Sequence, residues 1–454
     1  MISLELLERS FDHLLAKAIK TPHRFIGENS LNIKDIQFYK AEYLKQLDHE
    51  LKNDCYTPSV LKRITVVTDK ERRVFQFPLR DLIVHNVFAL TLKEKIEPYL
   101  SDNLFSYRKG KNSHQALNRV VQKIRNYKKI YTGPLKSRGL YVIRKDISKY
   151  TDYISTAPQS ILLNQMWSFM QKNNIHISKS DKALIVKILN PHYIEEEKQS
   201  QSNPHQKDLQ KNIQTFHFLP TGSPLVTVLA NFYLNELDHN MSALTNSLYI
   251  RFGDDILFVT DSKQQFIIAD EILIKTCEEK ELTFNAQKST NYFINSAGRT
   301  LKEDLDLTIK GCHCFDYLGA RISFDSGLEL KTSKKNQFFS DLKKYLKNLS
   351  LNLKYEYGED WYLKENNILV FVQAINEMLD IKSAFYIRYL DFIMFNISDR
   401  HYFRLLDNEI SYEVLKMLKP KQNAIFSSRP YRVLREQFGL KRLESKKNHL
   451  YDNN

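Results

Sequence analysis

Four cysteines in 454 residues are too few for a disulfide scaffold. Apolar runs of membrane-spanning length are missing, which argues against a helical membrane protein. The opening stretch, MISLELLERSFDHLL, carries acidic residues early and lacks the layout of a signal peptide. It predicts instead an amphipathic helix with Leu6, Leu7, Phe11 and Leu14 on one face. These absences together lead us to expect a soluble, cytoplasmic chain without membrane contact. There is no internal repeat. Cys312, His313 and Cys314 stand close together, but no second ligand pair follows at finger spacing, so packed thiols beside a strand are expected rather than zinc.

The residues that are present point elsewhere. With 42% hydrophobic residues the chain can bury a substantial core, and its length suggests two or three structural units. There are 67 Lys+Arg against 53 Asp+Glu, a formal charge of +14. Such an excess favours a polyanionic partner, either nucleic acid or an anionic membrane. Residues 60–78 read as two strands around a polar turn at Asp69–Arg72, and residues 80–128 as mostly helical. Gly133-Pro134 breaks the chain before a strand at Leu140 to Lys145, and residues 157–190 read as helical again. Residues 195–212 are polar and contain a proline, which predicts a long surface loop. From 336 to 420 the period is helical, with a boundary expected near residue 335. The tail over 425–447 interleaves Arg429, Arg432, Arg435, Lys441 and Arg442 with Phe426, Tyr431 and Phe438, a mixture suited to gripping phosphates and stacking bases.

The stretch 249-YIRFGDDILFVT-260 sets two carboxylates, Asp254 and Asp255, between two strand-like runs. Gly253 permits a tight turn, so a β-hairpin with the acids at its loop is expected. Adjacent like charges repel, and a divalent cation would reverse that cost. A strand, 140-LYVIRK-145, ends at Asp146 in DISKYTDYI, where an acid is well placed as a metal ligand. Neighbouring strands could bring Asp146 and Asp254 to one ion. Between them 219-LPTGSPLVTVLANFYLNELD-238 turns at Pro220, Gly222 and Pro224, then predicts a helix with Leu225, Val228, Leu229 and Phe232 on one face.

The order and spacing of these segments resemble the palm of reverse transcriptases, a family that includes group II intron, retron and bacterial defence-associated enzymes. DISKYTDYI resembles the first catalytic motif. LPTGSPLVTVLANFYLNELD resembles the template- and nucleotide-positioning motif, and YIRFGDDILF the catalytic hairpin. ELTFNAQKST (281–290) resembles the motif that follows, FDYLGARIS (315–323) the primer grip, and residues 72–88 and 105–117 the finger segments. The resemblance implies an α+β right-hand polymerase fold. Its expected parts are a helical N-terminal extension (1–55), fingers (56–139), a palm (140–335, with a finger segment at 157–215), and a helical thumb with a basic tail (336–454).

The resemblance also implies roles. Asp146, Asp254 and Asp255 would be the catalytic carboxylates. Together with the Ile147 carbonyl they would ligate two Mg2+ ions, for which Mn2+ can substitute. Arg73, Tyr150, Thr151, Thr221, Gly222 and Lys288 would bind the nucleotide, and Tyr317, Leu318 and Gly319 would carry the primer terminus. Three departures stand out: Thr151 replaces the usual aromatic that excludes a 2′-hydroxyl, so that sugar discrimination is either relaxed or taken over by Tyr150 beside it; Thr221 replaces a glutamine; and the hairpin reads FGDD. No endonuclease motif or H-N-H module follows the thumb-like part. The profile resembles the anti-phage defence branch, which makes DNA on a dedicated noncoding RNA from dNTPs or without a conventional template. Some of its members prime on their own side chains and work as oligomers or with partner defence proteins. The 25 tyrosines here leave such priming unlocated. A retron-type enzyme copying its own structured RNA and an inactive RNA-binding scaffold are the alternatives.

Overall fold

In α1 (Leu4–Ala18) the stripe Leu7, Phe11, Leu14 is buried, while Leu6 lies one position off it and is half-buried. The structure, a computed structural model, describes residues 2–18, 32–67, 71–134, 138–195, 213–300, 309–325, 327–383, 386–397, 399–419, 423–426 and 428–445. α2 (Ile33–Ile36) opens with a capping box between Asn32 and Asp35 and leads to α3 (Lys40–Lys52). β1 (Leu61–Val67) and β2 (Glu71–Gln76) pair antiparallel, so Arg72 belongs to a strand rather than to the polar turn expected around it. Residues 68–70 of that turn lie outside the described residues.

The helical stretch expected over 80–128 is two helices, α4 (Leu79–Ile96) and α5 (Ser113–Ile130). Asn112 caps the second through the Gln115 N–H. β3 (Leu140–Asp146) runs one residue further than expected, into the acid itself. α6 (Tyr150–Tyr153), α7 (Ile161–Lys172) and α8 (Lys179–Leu189) follow, then β4 (His192–Glu195) and β5 (Gln214–Thr215). Most of the loop expected at 195–212 lies outside the described residues. Next come α9 (Leu225–Tyr233), α10 (Asn235–Ser242), β6 (Leu248–Phe252), β7 (Asp255–Thr260), α11 (Lys263–Glu279) and β8 (Thr290–Ile294). The C-terminal part holds β9 (Ile309–Cys312), β10 (Cys314–Tyr317), β11 (Ala320–Ser323), β12 (Leu328–Leu330), α12 (Thr332–Tyr357), α13 (Glu365–Met378), α14 (Leu390–Asn396), α15 (Arg400–Met417) and α16 (Pro430–Glu436). Residue 335 therefore falls in the first turn of a continuous helix.

The chain divides into two compact units. The first comprises residues 1–111 and 143–290, the second 112–142 and 291–454. In the first unit one sheet has the order β2-β1-β4-β5, and β6, β7 and β3 lie side by side in another. Ile256, Leu257, Phe258 and Val259 of β7 are all buried, the pattern of a strand covered on both faces. α9 is buried nearly all round, Val226 included, so its apolar face is wider than the stripe expected from sequence, on which Val228 is only half-buried. In the second unit β10, β11 and β12 form an antiparallel meander and β8 pairs parallel with β9. Its helical core is built on Phe338, Leu342 and Leu346 of α12, Phe371 and Ile375 of α13, and Leu406, Ile410 and Val414 of α15. Among the described residues no helix is long and apolar enough to cross a membrane.

Candidate active site

The register Phe252↔Asp255 leaves Gly253 and Asp254 as a two-residue turn. Gly253 has φ +69, and a glycine at the first central position is the mark of a type II′ hairpin. Asp254 thus sits in the turn and Asp255 opens β7. The end of β3 meets this turn directly, because the Ile147 N–H donates to the Asp254 carbonyl at 3.0 Å. Residues 283–289 close the third side. Ser148 N–H donates to the Thr283 carbonyl (2.9 Å), Asn285 N–H to the Asp146 carbonyl (2.7 Å), and Asp146 N–H to Ser289 Oγ (3.1 Å). Lys288 Nζ then lies 2.9 Å from both Asp146 carboxylate oxygens. The segments carrying Asp146, Asp254 and Lys288 therefore converge within the first unit.

The local field rewards a cation. Burial pushes the Asp254 carboxyl above its ordinary range. The hydrogen bond to its own backbone opposes this, Asp146 adds to it, and Lys288 and Arg72 draw it back. Asp255 is pushed up to about 6, by burial first; Arg144 opposes and the two other aspartates add. Arg144 Nε stands 3.7 Å from Asp255 Oδ1, so this carboxylate is turned toward a cation of the protein's own. Among the described residues no group of three or more His, Cys, Asp or Glu side chains is gathered around one point. The charge of Asp146 reaches Asp254, and the Ile147 main chain is bonded to the same turn. This set is oxygen-only, the class that Mg2+ takes, so the residues fit a hard divalent cation with Asp255 at its edge.

The expected nucleotide residues separate into two groups. Arg72 and Arg73 are both exposed on β2, but it is Arg72 whose charge reaches Asp254. Sequence reasoning singled out Arg73, whereas adjacent strand residues point to opposite faces. β2 is tied to the turn before α9: Phe75 N–H donates to the Thr221 carbonyl at 2.8 Å, and a Cβ added to Gly222 would come 2.5 Å from the Phe75 carbonyl oxygen. Ser223 Oγ lies 2.7 Å from Nδ1 of the buried His85, whose pKa burial lowers to about 3. Thr151 Oγ1 and Thr221 Oγ1 are 3.4 Å apart, so two departures from the family pattern touch one another. Tyr150, the neighbour of Thr151, points elsewhere. It is buried, and its hydroxyl donates to the Ala230 carbonyl at 2.6 Å, which turns the ring into α9.

A match to the family described as reverse transcriptase (RNA-dependent DNA polymerase) spans residues 69–322, more than half of the chain and all three converging segments. The chain belongs to the reverse transcriptase family. Enzymes of this family are nucleotidyltransferases of right-hand polymerase fold, and their domains generally use divalent metals. No match was found among curated proteins. Among solved structures, the chain is similar to telomerase from Candida albicans in complex with a TWJ fragment of telomeric RNA. Identity is 12% and TM-score 0.45, over 93% of this chain and 70% of that one. It is also similar to apo telomerase from Candida tropicalis truncated from its C-terminal domain, at 12% identity and TM-score 0.42, over 61% of this chain and 56% of that one. The reverse transcriptase chain thus spans little more than half the length of that structure.

In the second unit, Leu318 and Gly319 form the β10–β11 turn after Tyr317, with φ +44 at Leu318 and +82 at Gly319. Tyr317 itself is fully buried beneath that turn, leaving the turn's backbone as the feature it presents. The tail differs from expectation. Phe426 and Phe438 are buried against each other, with ring centroids 5.6 Å apart, and Tyr431 is the one of the three that stays exposed. Arg435 points inward, donating to the Asp407 carbonyl (3.1 Å), Asn408 Oδ1 (3.2 Å) and Ser411 Oγ (3.0 Å). Through Nη2 it braces α16 on α15, and the residue is half-buried. Arg432 pairs with Glu436 at 2.6 Å; Arg429, Lys441 and Arg442 are exposed. Cys312 and Cys314 are free, half-buried thiols on β9 and β10, and His313 lies 3.1 Å from Asp325.

Proposed function

We propose that the protein is an RNA-directed DNA polymerase whose nucleotidyl transfer runs on Asp146 and Asp254, with Asp255 shaping the charge beside them. The reading is supported above all by the meeting of the Ile147 N–H with the Asp254 carbonyl, which joins two acidic segments far apart in the chain. Asp146, Asp254 and the Ile147 carbonyl would hold Mg2+, or Mn2+ in its place. When bound, the ions supply Lewis-acid activation of a primer 3′-hydroxyl and neutralise the leaving pyrophosphate. Lys288 holds an ammonium at the edge of this site, where it can meet developing negative charge. Arg72, whose charge reaches Asp254, offers a guanidinium fork to a triphosphate. The backbone of the Leu318–Gly319 turn is the proposed primer platform, and Arg429, Lys441 and Arg442 are proposed nucleic-acid contacts.

Primer extension on an RNA template with dNTPs and Mg2+ tests the reading. The wild type is expected to extend the primer and Asp254→Ala to lose extension; equal activity of the two would leave the scaffold alternative standing. The touching Thr151 and Thr221 hydroxyls put short side chains where the family carries an aromatic and a glutamine, which supports admission of ribonucleotides. Strict dNTP use would remove that argument. The same divergence at both threonines and in FGDD supports placement in the bacterial anti-phage branch, working on a noncoding RNA. Sequencing the nucleic acid that co-purifies with the protein separates the cases. Low-complexity or protein-linked DNA supports defence; a branched RNA–DNA molecule supports the retron-type alternative.

A further inference from the structure

Beneath the Gly253–Asp254 turn lies a buried polar network that the catalytic reading does not use. Its centre is Arg251 on β6, paired with Asp238 of α10. Both side chains are 0% exposed, with Nε at 2.7 Å from Oδ1 and Nη2 at 2.6 Å from Oδ2. Tyr249 adds its hydroxyl to Asp238 Oδ1 at 2.8 Å. Burying such a pair costs much of what the attraction returns, so its presence here asks for a purpose beyond stability. The remaining guanidinium hydrogens answer it. Nη2 donates to the Asn231 carbonyl (2.8 Å), and Nη1 donates to the Gly253 carbonyl in the catalytic turn (3.2 Å).

The other side of the same glycine is held as well. Gly253 N–H donates to Ser106 Oγ at 2.9 Å. The Ser106 hydroxyl in turn donates to Asn231 Oδ1 (3.0 Å), and Asn231 Nδ2 donates back to the Ser106 carbonyl (2.8 Å). The chain next to Ser106 is stitched to β6, through Phe105 N–H to the Arg251 carbonyl and Arg251 N–H to the Asn103 carbonyl, both at 2.9 Å. Glycine offers no side chain, so its N–H and C=O are the handles by which this turn can be held. Both are held by side chains, one of them from far away in sequence.

We propose that Ser106 and Arg251 are positioning residues that fix the Gly253 peptide groups and thereby aim the Asp254 carboxylate at Asp146. The inference rests on the reading of Asp254 as a catalytic group. Asp238 and Tyr249 orient the guanidinium, and Asn231 orients the Ser106 hydroxyl. Asp254 is reached only through main chain, so the network acts on its direction and not on its chemistry.

Ser106→Ala removes one hydroxyl and little volume. Turnover is expected to fall about tenfold to a hundredfold, the scale of a small misplacement of reacting groups. The KM for nucleotide should stay within about twofold. The Mg2+ midpoint should rise, and hydrogen exchange of the 249–256 segment without metal should quicken. Ser106→Thr, which keeps the hydroxyl, should restore turnover, midpoint and protection together. Arg251→Lys keeps the charge against Asp238 but not the fork, and should show the same loss in turnover. Wild-type turnover and midpoint in Ser106→Ala, or a Ser106→Thr as impaired as the alanine variant, would overturn the proposal. An active Asp254→Ala would instead sink the active-site reading itself, so the two failures are told apart.

Discussion

Two hairpins in this chain look alike in sequence and are held in different ways. The Gly253–Asp254 turn and the Leu318–Gly319 turn each join short strands through two residues, with glycine in the left-handed region. The second has both central residues at positive φ, the type I′ pattern, and a non-glycine residue bears one of them. Its supports are near in sequence: Lys331 N–H donates to the Gly319 carbonyl at 3.1 Å, and Asp316 pairs across the strands with Arg321 at 3.1 Å, both partly exposed. The first is held by Ser106, Ile147 and, through Arg251, by Asn231 and Asp238. A local support gives a hairpin its shape. Distant ones, on the proposed positioning role, give its side chains a direction.

Substitutions can break or sharpen this contrast. The largest stability effect is expected at the buried pair. Arg251→Met leaves Asp238 as an uncompensated buried charge, and chemical denaturation should report a loss of about 3–5 kcal/mol. Replacing Asp238 by leucine in the same chain should recover most of it, since the pair as a unit is close to neutral for stability. Next come the glycines. Gly253→Ala and Gly319→Ala should each cost about 1–2 kcal/mol by forcing a left-handed alanine. Equal melting shifts with a turnover loss in Gly253→Ala alone would sharpen the contrast; equal turnover losses would erase it. The smallest effect is expected for Arg321→Ala, about 0–1 kcal/mol, because its ion pair with Asp316 is solvated. A loss as large as that of Arg251→Met would show that the second hairpin too depends on its charges.

Much of the site was legible because its cues are local. A glycine before two acids, apolar runs on both flanks and an acid at a strand end predict the turn and β3 without tertiary knowledge. Side-chain direction was not legible. Tyr150 and Thr151 are neighbours, and only packing against α9 decides which of them turns into the core. The choice between Arg72 and Arg73 depends on which face of β2 looks toward Asp254. In the tail, a run of mixed basic and aromatic residues satisfies both a nucleic-acid surface and a small hydrophobic clasp. Phe426, Phe438 and Arg435 went to the clasp because α15 offered them a surface to cover and carbonyls to meet. The mostly helical stretch expected over 80–128 is interrupted at residues whose turn is stabilised by contacts far along the chain, including Phe105 to Arg251.

The seat of Gly222 against β2 carries a consequence for anyone wishing to alter substrate choice. Thr221 contributes a main-chain carbonyl to the Phe75 N–H, and its side-chain hydroxyl meets that of Thr151, whereas any methyl group on Gly222 runs into the Phe75 backbone. A combinatorial library over the two positions should therefore return many survivors at the first and glycine alone at the second. The proposed nucleotide site can be retuned at one codon while its neighbour stays locked by the strand beneath it.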